Sequence, residues 1–387
     1  MTNDIKIFFT FLTILIVSNI QCIAQKNDSI SYDNHFFVLD FENNQYDFSE
    51  VQKYFFTTYP HNDPTQGNVI YDRVKWVNDD LIKLTEYDAL YGFIKSRNDS
   101  LGFDSFRFTS KPYYNLDDKV KKILFVFKGK LPSEKGVWPA WWLNGSRQDE
   151  WLYKGKDNLT LNESLDKYSG IGQFYDTPSP VNCTDWPSAG EVDIIETING
   201  NNIIHNTIHT CPQMCDSEWN GDGVIINCAN ATLSDPNSGC SGSSYEVNSP
   251  EGTFACLWEN KSIRFYYWEP ETDVRSPGGP LSSLPDPDAW EKSNLKNYVR
   301  LFDGSQDCDN EIHQAWQCEI CKEMNKCEFK NLKMTFNITL CGIWAGNKFD
   351  ETDNSWNNCK DYVLGDGKEL IDNNFIKIEY VSVNPLP

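Results

Sequence analysis

Strand-period patterning dominates the chain. Leu332, Met334, Phe336, Ile338 and Leu340 alternate with Lys333, Thr335, Asn337 and Thr339, which predicts a strand with one buried face and one wet face. Ile263 to Trp268 and Phe106 to Thr109 are aromatic-rich with polar residues between, and Ile123 to Phe127 is a continuous apolar run of sheet-core type. Convincing amphipathic helices are scarce. Many short strands separated by Gly, Pro, Asn and Asp predict an all-β sandwich or jelly roll of one domain. Two stretches interrupt it: Ser146 to Thr184, polar and carrying the sequons Asn158, Asn162 and Asn182, and Gly304 to Glu328, with four cysteines, Cys308, Cys318, Cys321 and Cys327. Long loops of this kind are usually functional or covalently stapled.

The N-terminus follows another pattern. Lys6 precedes an apolar run from Ile7 to Val17, and a polar stretch ends in Cys22, Ile23 and Ala24. Residues 1–24 therefore read as a secretory signal peptide cleaved after Ala24, since the run is too short to span a bilayer. A lipoprotein reading around Cys22 is poor, because Gln21 is bulky where that processing wants a small residue. Residues 25–387 are then one secreted, extracellular domain. Of 13 cysteines, removing Cys22 leaves 12, enough for six disulfides. The crowded Cys308 to Cys327 group fits disulfides better than a zinc knuckle in a secreted chain. Nine Asn-x-Ser/Thr sequons, at Asn27, Asn98, Asn144, Asn158, Asn162, Asn182, Asn230, Asn260 and Asn337, favour a eukaryotic secretory route and mark surface positions.

Charge narrows the partner. A formal net charge of −22 over 387 residues repels phosphate backbones and anionic lipid. The 13 tryptophans suit a neutral polar partner instead, and sugars are the obvious one.

Candidate chemistry sits in Trp186-Pro187-Ser188-Ala189-Gly190-Glu191-Val192-Asp193-Ile194-Ile195-Glu196. Val192, Ile194 and Ile195 make this a strand, on which strict alternation would send Glu196 to the face opposite Glu191 and Asp193. A one-residue bulge at Ile194-Ile195 brings all three carboxylates onto one face. Asn199-Gly200-Asn201-Asn202 is a hairpin turn signal, and Ile203 to Thr210 reads as the return strand. A two-residue loop gives paired numbers summing to 399, raised by the bulge to 400, so that His209 faces Glu191. A four-residue loop gives 401 and 402, so that His209 faces Asp193. Carboxylates this close cannot all ionise, so one is expected to keep a proton while another stays anionic, the division of labour that glycoside hydrolysis needs. A solvated acidic face or a calcium site is the plainer alternative. Trp138, Trp141, Trp142 and Trp186 offer flat faces for pyranose rings, with core packing favoured for Trp138 and Trp141.

These residues resemble glycoside hydrolase family 16, in the branch of laminarinases and endo-1,3(4)-beta-glucanases with a bulged E-x-D-x-x-E motif. The resemblance runs, in the family's order, through Asp63-Pro64-Thr65-Gln66-Gly67, Phe106 to Lys111, Trp138-Pro139-Ala140-Trp141-Trp142, the motif, His209-Thr210, Asn237-Ser238-Gly239-Cys240 and Leu340-Cys341-Gly342-Ile343-Trp344-Ala345-Gly346, over most of residues 36 to 383. It implies a two-sheet antiparallel β jelly-roll sandwich, concanavalin A-like, with a concave substrate cleft, and hydrolysis with retention of anomeric configuration. By position, Glu191 resembles the nucleophile, Asp193 the helper that bonds and tunes it, and Glu196 the general acid/base. His209 matches a cleft histidine, and Trp142, Trp186 and Trp344 match aromatics that line sugar subsites. Arg107 corresponds to a basic residue near the cleft, with a surface strand arginine as the alternative. No cofactor or metal is expected. The implied partner is a β-glucan polysaccharide, with no nucleic acid, no membrane after signal cleavage, and a monomeric chain.

The function so implied is a secreted endo-β-glucanase cutting internal 1,3 or mixed 1,3/1,4 bonds. The alternatives are a glucan transglycosylase and a glucan-binding recognition protein, the latter opposed by the presence of both Glu191 and Glu196. One departure stands out: 44 positions separate Trp142 from Trp186, far more than in close relatives, which places the Ser146 to Thr184 insert beside the cleft.

Overall fold

The computed structural model describes residues 36–57, 61–62, 65–71, 77–97, 102–117, 119–145, 190–209, 218–221, 224–227, 240–259, 262–290, 299–300, 329 and 331–386. The expected signal peptide, both expected inserts, Trp186 and seven of the nine sequons lie outside them. The chain divides into a unit of residues 1–36 and a compact unit, Phe37–Pro387, which holds every element below.

That unit is a sandwich of two antiparallel sheets, as the alternating patterns predict. The seven-stranded sheet runs in the order Cys240–Glu246, Ile203–His209, Glu191–Glu196, Val137–Asn144, Lys333–Leu340, Arg107–Ser110, Phe55–Thr57. The eight-stranded sheet runs Val299–Arg300, Ser262–Trp268, Glu251–Glu259, Lys122–Lys130, Phe375–Leu386, Leu90–Phe93, Ile82–Leu84, with Phe37–Asp40 also paired to the Phe375–Leu386 strand. Neighbours in both sheets are often far apart in sequence, the mark of a jelly roll.

The core lies between the sheets. Phe127 of the eight-stranded sheet meets Trp141 and Phe336 of the other at ring-centroid distances of 5.4 and 5.2 Å, and Trp141 stacks on Phe336 at 5.8 Å. All three are fully buried, each worth about 1.5–3 kcal/mol or more of transfer free energy. The continuous apolar run at Ile123 to Phe127 has its reason here. Residues Leu124 and Val126 join a second cluster with Leu257, Trp268, Val274, Leu281 and Trp290 on the outer face, so that strand is covered on both sides.

Helices are short, the longest described being Ser355–Leu364. It is tied by a disulfide, Cys341–Cys359, to a π-helical turn, Gly342–Gly346, that follows the Lys333–Leu340 strand. The turn opens with Cys341 at φ 57° and Gly342 at φ 67°. A side chain at Gly342 would meet Thr65 and Trp138 within 3.2 Å, a crowding only glycine avoids. Cys256, by contrast, is free and buried, so the twelve cysteines do not form six disulfides. Its place in the Glu251–Glu259 strand explains this: it is a small apolar core residue there, and burial pushes its thiol pKa up.

Candidate active site

The bulge forms where the sequence requires it. Trp141 pairs with Ile195 and Trp142 with Asp193, leaving Ile194 without an opposite residue. The side-chain amide of Asn206, itself fully buried, donates to the Ile194 carbonyl, which satisfies a backbone group the ladder cannot reach. Glu191, Asp193 and Glu196 consequently share a face.

The hairpin takes its turn length from one of the two expectations and the pairing of His209 from the other. The turn is the four-residue one, with Asn199, Gly200 and Asn202 at positive φ, and Glu196 pairs with His205, a sum of 401. The extra residue lies on the first strand, so it lowers the sum to 400 rather than raising it, and Glu191 pairs with His209. His209 nevertheless serves both acids: its Nε2 lies 3.1 Å from Asp193 Oδ2 and 3.9 Å from Glu191 Oε1.

Registers across the sheet arrange the face in rows. One row is His205, Glu196, Ala140, Asn337 and Arg107; the next is Thr207, Asp193, Trp142, Thr335 and Thr109; the third is His209, Glu191, Asn144 and Lys333. Polar side chains on these rows hold one another. Trp142 Nε1 donates to Asn337 Oδ1 at 2.7 Å, the Arg107 guanidinium lies over the Trp142 ring at 4.9 Å, and the Thr109 and Thr335 hydroxyls are 3.2 Å apart.

Several expectations are corrected by this packing. The polar face of the Lys333–Leu340 strand is buried, not wet, because its side chains pack into these rows. Arg107 is 2 % exposed, which disposes of the surface-arginine reading. The sequons Asn144 and Asn337 are buried, one opposite Glu191 and one bonded to Trp142, so neither marks the surface. Trp141 is core, as expected, whereas Trp138 is not. Its Nε1 donates to Glu196 Oε1 at 2.8 Å, and its ring meets Trp344 edge-on at 5.4 Å. Trp344 in turn meets His205 at 5.0 Å. Asn199 fixes this corner, donating to the Ala345 and Lys348 carbonyls at 2.9 and 3.0 Å and so joining the hairpin turn to the turn that carries Trp344.

The structure thus brings together Glu191, Asp193, Glu196, His209, Trp142, Trp344 and Arg107, and adds Trp138, His205, Asn144 and Asn337. Burial sets the acid–base behaviour. Asp193 is held well above the usual carboxylate range by burial. Glu196 is pushed up to about 8 by burial and by the neighbouring Asp193, an effect eased by the Trp138 hydrogen bond and by His209. The site accordingly stores protons at neutral pH beside a third carboxyl, Glu191. Glu191, Asp193 and His209 also have ligand atoms within 4.8 Å of one another, a set able to hold a metal ion.

Three buried carboxyls set along one strand, on one face of a jelly-roll sheet, define a carboxylate-based, sugar-cleaving class of site. The family model described as the XgeA-like, catalytic GH16 domain matches residues 181–384, and the chain belongs to glycoside hydrolase family 16. It is 24 % identical over 303 residues to the endo-1,3(4)-beta-glucanase xgeA of Emericella nidulans, covering 75 % of this chain and 38 % of that protein. It is 24 % identical over 315 residues to the probable glycosidase C21B10.07 of Schizosaccharomyces pombe, covering 78 % and 59 %. The chain therefore spans less than two thirds of the length of either relative. Among solved structures it resembles laminarinase 16A from Phanerochaete chrysosporium, with a TM-score of 0.52, 19 % identity and coverage of 90 % of this chain and 99 % of that one. An elongating family 16 beta-1,3-glucosyltransferase gives a TM-score of 0.53, 19 % identity and coverage of 89 % and 97 %. Both likenesses are of fold.

Proposed function

We propose that the chain is a secreted endo-β-glucanase that hydrolyses internal 1,3 or mixed 1,3/1,4 β-glucosidic bonds with retention. The observation that carries this reading is the bulged strand. It sets Glu191 beside His209 and the proton-holding Asp193, and sets Glu196, with its pKa near 8, at the other end of the same face.

In the first step Glu191 attacks the anomeric carbon through a carboxylate oxygen, while Glu196 gives its proton to the bridging oxygen. The carbon–oxygen bond breaks and the leaving sugar departs as a neutral hydroxyl. In the second step Glu196, now a carboxylate, takes a proton from water as that water attacks the anomeric carbon of the glycosyl–Glu191 ester, which restores Glu191 as a carboxylate and Glu196 as an acid. Asp193 holds its proton and His209 Nε2 reaches both Asp193 and Glu191, an arrangement that positions Glu191. Trp142, Trp344, Trp186 and Arg107 are proposed to line the sugar subsites. The naming of fungal relatives as endo-1,3(4)-beta-glucanases supports the substrate class.

Release of reducing ends from laminarin, lichenan and xyloglucan tests it, with Glu191→Gln and Glu196→Gln alongside. Cleavage of laminarin or lichenan that collapses in both variants supports the assignment, and activity confined to xyloglucan overturns the substrate class. Glucan binding without cleavage at any pH would make the chain a recognition protein. A second reading, glycosyl transfer, is favoured by burial: none of the three carboxyls is more than 8 % exposed, and a site poor in water favours a sugar hydroxyl as acceptor. Products longer than the substrate at high oligosaccharide concentration would establish it.

A further inference from the structure

His205 is a ring beside Glu196 to which the proposed mechanism gives no task. It pairs with Glu196 across the hairpin, on the side away from Ala140. Its ring stands edge-on to Trp344 at 5.0 Å, and Trp344 stands edge-on to Trp138 at 5.4 Å, so the three rings form a chain that meets Glu196 at both ends, by strand pairing at His205 and by hydrogen bond at Trp138. The His205 Nε2 is buried and has no hydrogen-bond partner among the described residues. Burial lowers the His205 pKa, and a neutral imidazole offers one N–H and one lone pair without adding charge beside Glu196. A polar atom left unpaired in the interior costs stability, and in a substrate site it marks a place where a ligand group completes the bonding.

Position identifies which group that is. Glu191, with His209 and Asn144 beside it, has to reach the anomeric carbon of the sugar retained on the enzyme. Glu196 has to reach the bridging oxygen. The sugar that departs with that oxygen lies nearest Glu196, His205, Trp344 and Trp138. We propose that His205 is a specificity residue whose Nε2 hydrogen-bonds a hydroxyl of the glucosyl unit on the leaving-group side, with Trp344 as the wall that unit rests against. This rests on the glucanase reading above.

The test compares a β-1,3-linked gluco-hexasaccharide with an aryl β-laminaribioside, in which a phenol replaces the leaving sugar, using wild type, His205→Phe and His205→Gln. With His205→Phe, kcat/KM for the hexasaccharide falls about tenfold, mainly through KM, and the aryl substrate changes by less than about twofold; His205→Gln restores most of the loss. Equal losses on both substrates, as a merely structural role would give, overturn the assignment, and so does no loss on the hexasaccharide. If His205→Phe does not fold, the imidazole nitrogen-15 shifts of the wild-type protein decide. The Nε2 signal of His205 moves on saturation with laminaritriose if the inference holds, and stays unmoved if it is wrong. A wild-type enzyme that cleaves neither substrate overturns the glucanase reading itself, a failure seen before any variant is made.

Discussion

Trp138 Nε1 donates a 2.8 Å hydrogen bond to Glu196 Oε1, and that bond favours the ionised form of a carboxyl which burial pushes the other way. Its loss in Trp138→Phe therefore raises the Glu196 pKa above its value of about 8. The proposed mechanism assigns the alkaline limb of the kcat/KM profile to the proton on Glu196, and that limb is then expected to move to higher pH. The plateau falls about three- to tenfold as the acid becomes weaker and less well positioned. A pH profile of the variant checks this; an alkaline limb that stays in place or moves down speaks against the role given to Trp138.

Raised carboxyl pKa values have a stability cost with a definite sign. Asp193 and Glu196 bind protons more tightly folded than unfolded, so their contribution is fully present below the unfolded values near 4 and is lost as pH rises through the folded ones. Wild type is thus expected to lose stability between about pH 5 and pH 8 at this site. Glu196→Gln removes the ionisation, and its Tm exceeds that of wild type by a margin that widens over that range, on the order of 5 °C at pH 8. Calorimetry at both pH values measures it, and a margin that narrows with pH would contradict the burial argument.

Asn144 and Asn337 lie in sequons yet are 2 % and 8 % exposed on the face that bears the carboxyls. A glycan on either has no room in the folded sheet. Glycopeptide mapping of the active protein purified from a eukaryotic host is expected to find both asparagines unmodified. Occupancy at either in the active fraction would mean that this face is packed differently.

How far the sequence reaches can be judged residue by residue. Alternation and the apolar run at Ile123 to Phe127 are local properties, and they fixed the sheet sandwich. The bulge was legible because three carboxyls on one face demand it, and the Ile194 carbonyl taken by Asn206 shows how it is held. Its effect on register was legible as well, since an extra residue at Ile194-Ile195 lies on the first strand and must lower the sum; the expectation took the opposite sign, and only the loop length was open in the sequence. Trp138 was misplaced although the signal existed: period two puts it with Trp142 on one face and Trp141 alone on the other. His205 had the same signal, two positions before Thr207 and four before His209. The buried polar rows could not be foreseen, since alternation shows which residues share a face but not whether that face is packed. The cysteine count likewise carried no information on which thiol is enclosed, and Cys256 is.

The central claim, a double displacement at the anomeric carbon with Glu191 as nucleophile and Glu196 as acid and base, is tested most directly by proton NMR of the product first formed from a β-1,3-gluco-oligosaccharide. A β-anomer that appears first and then mutarotates is the predicted result, and Glu191→Gln should yield none. An α-anomer appearing first would show a single displacement by water, and would contradict the role of Glu191 as nucleophile.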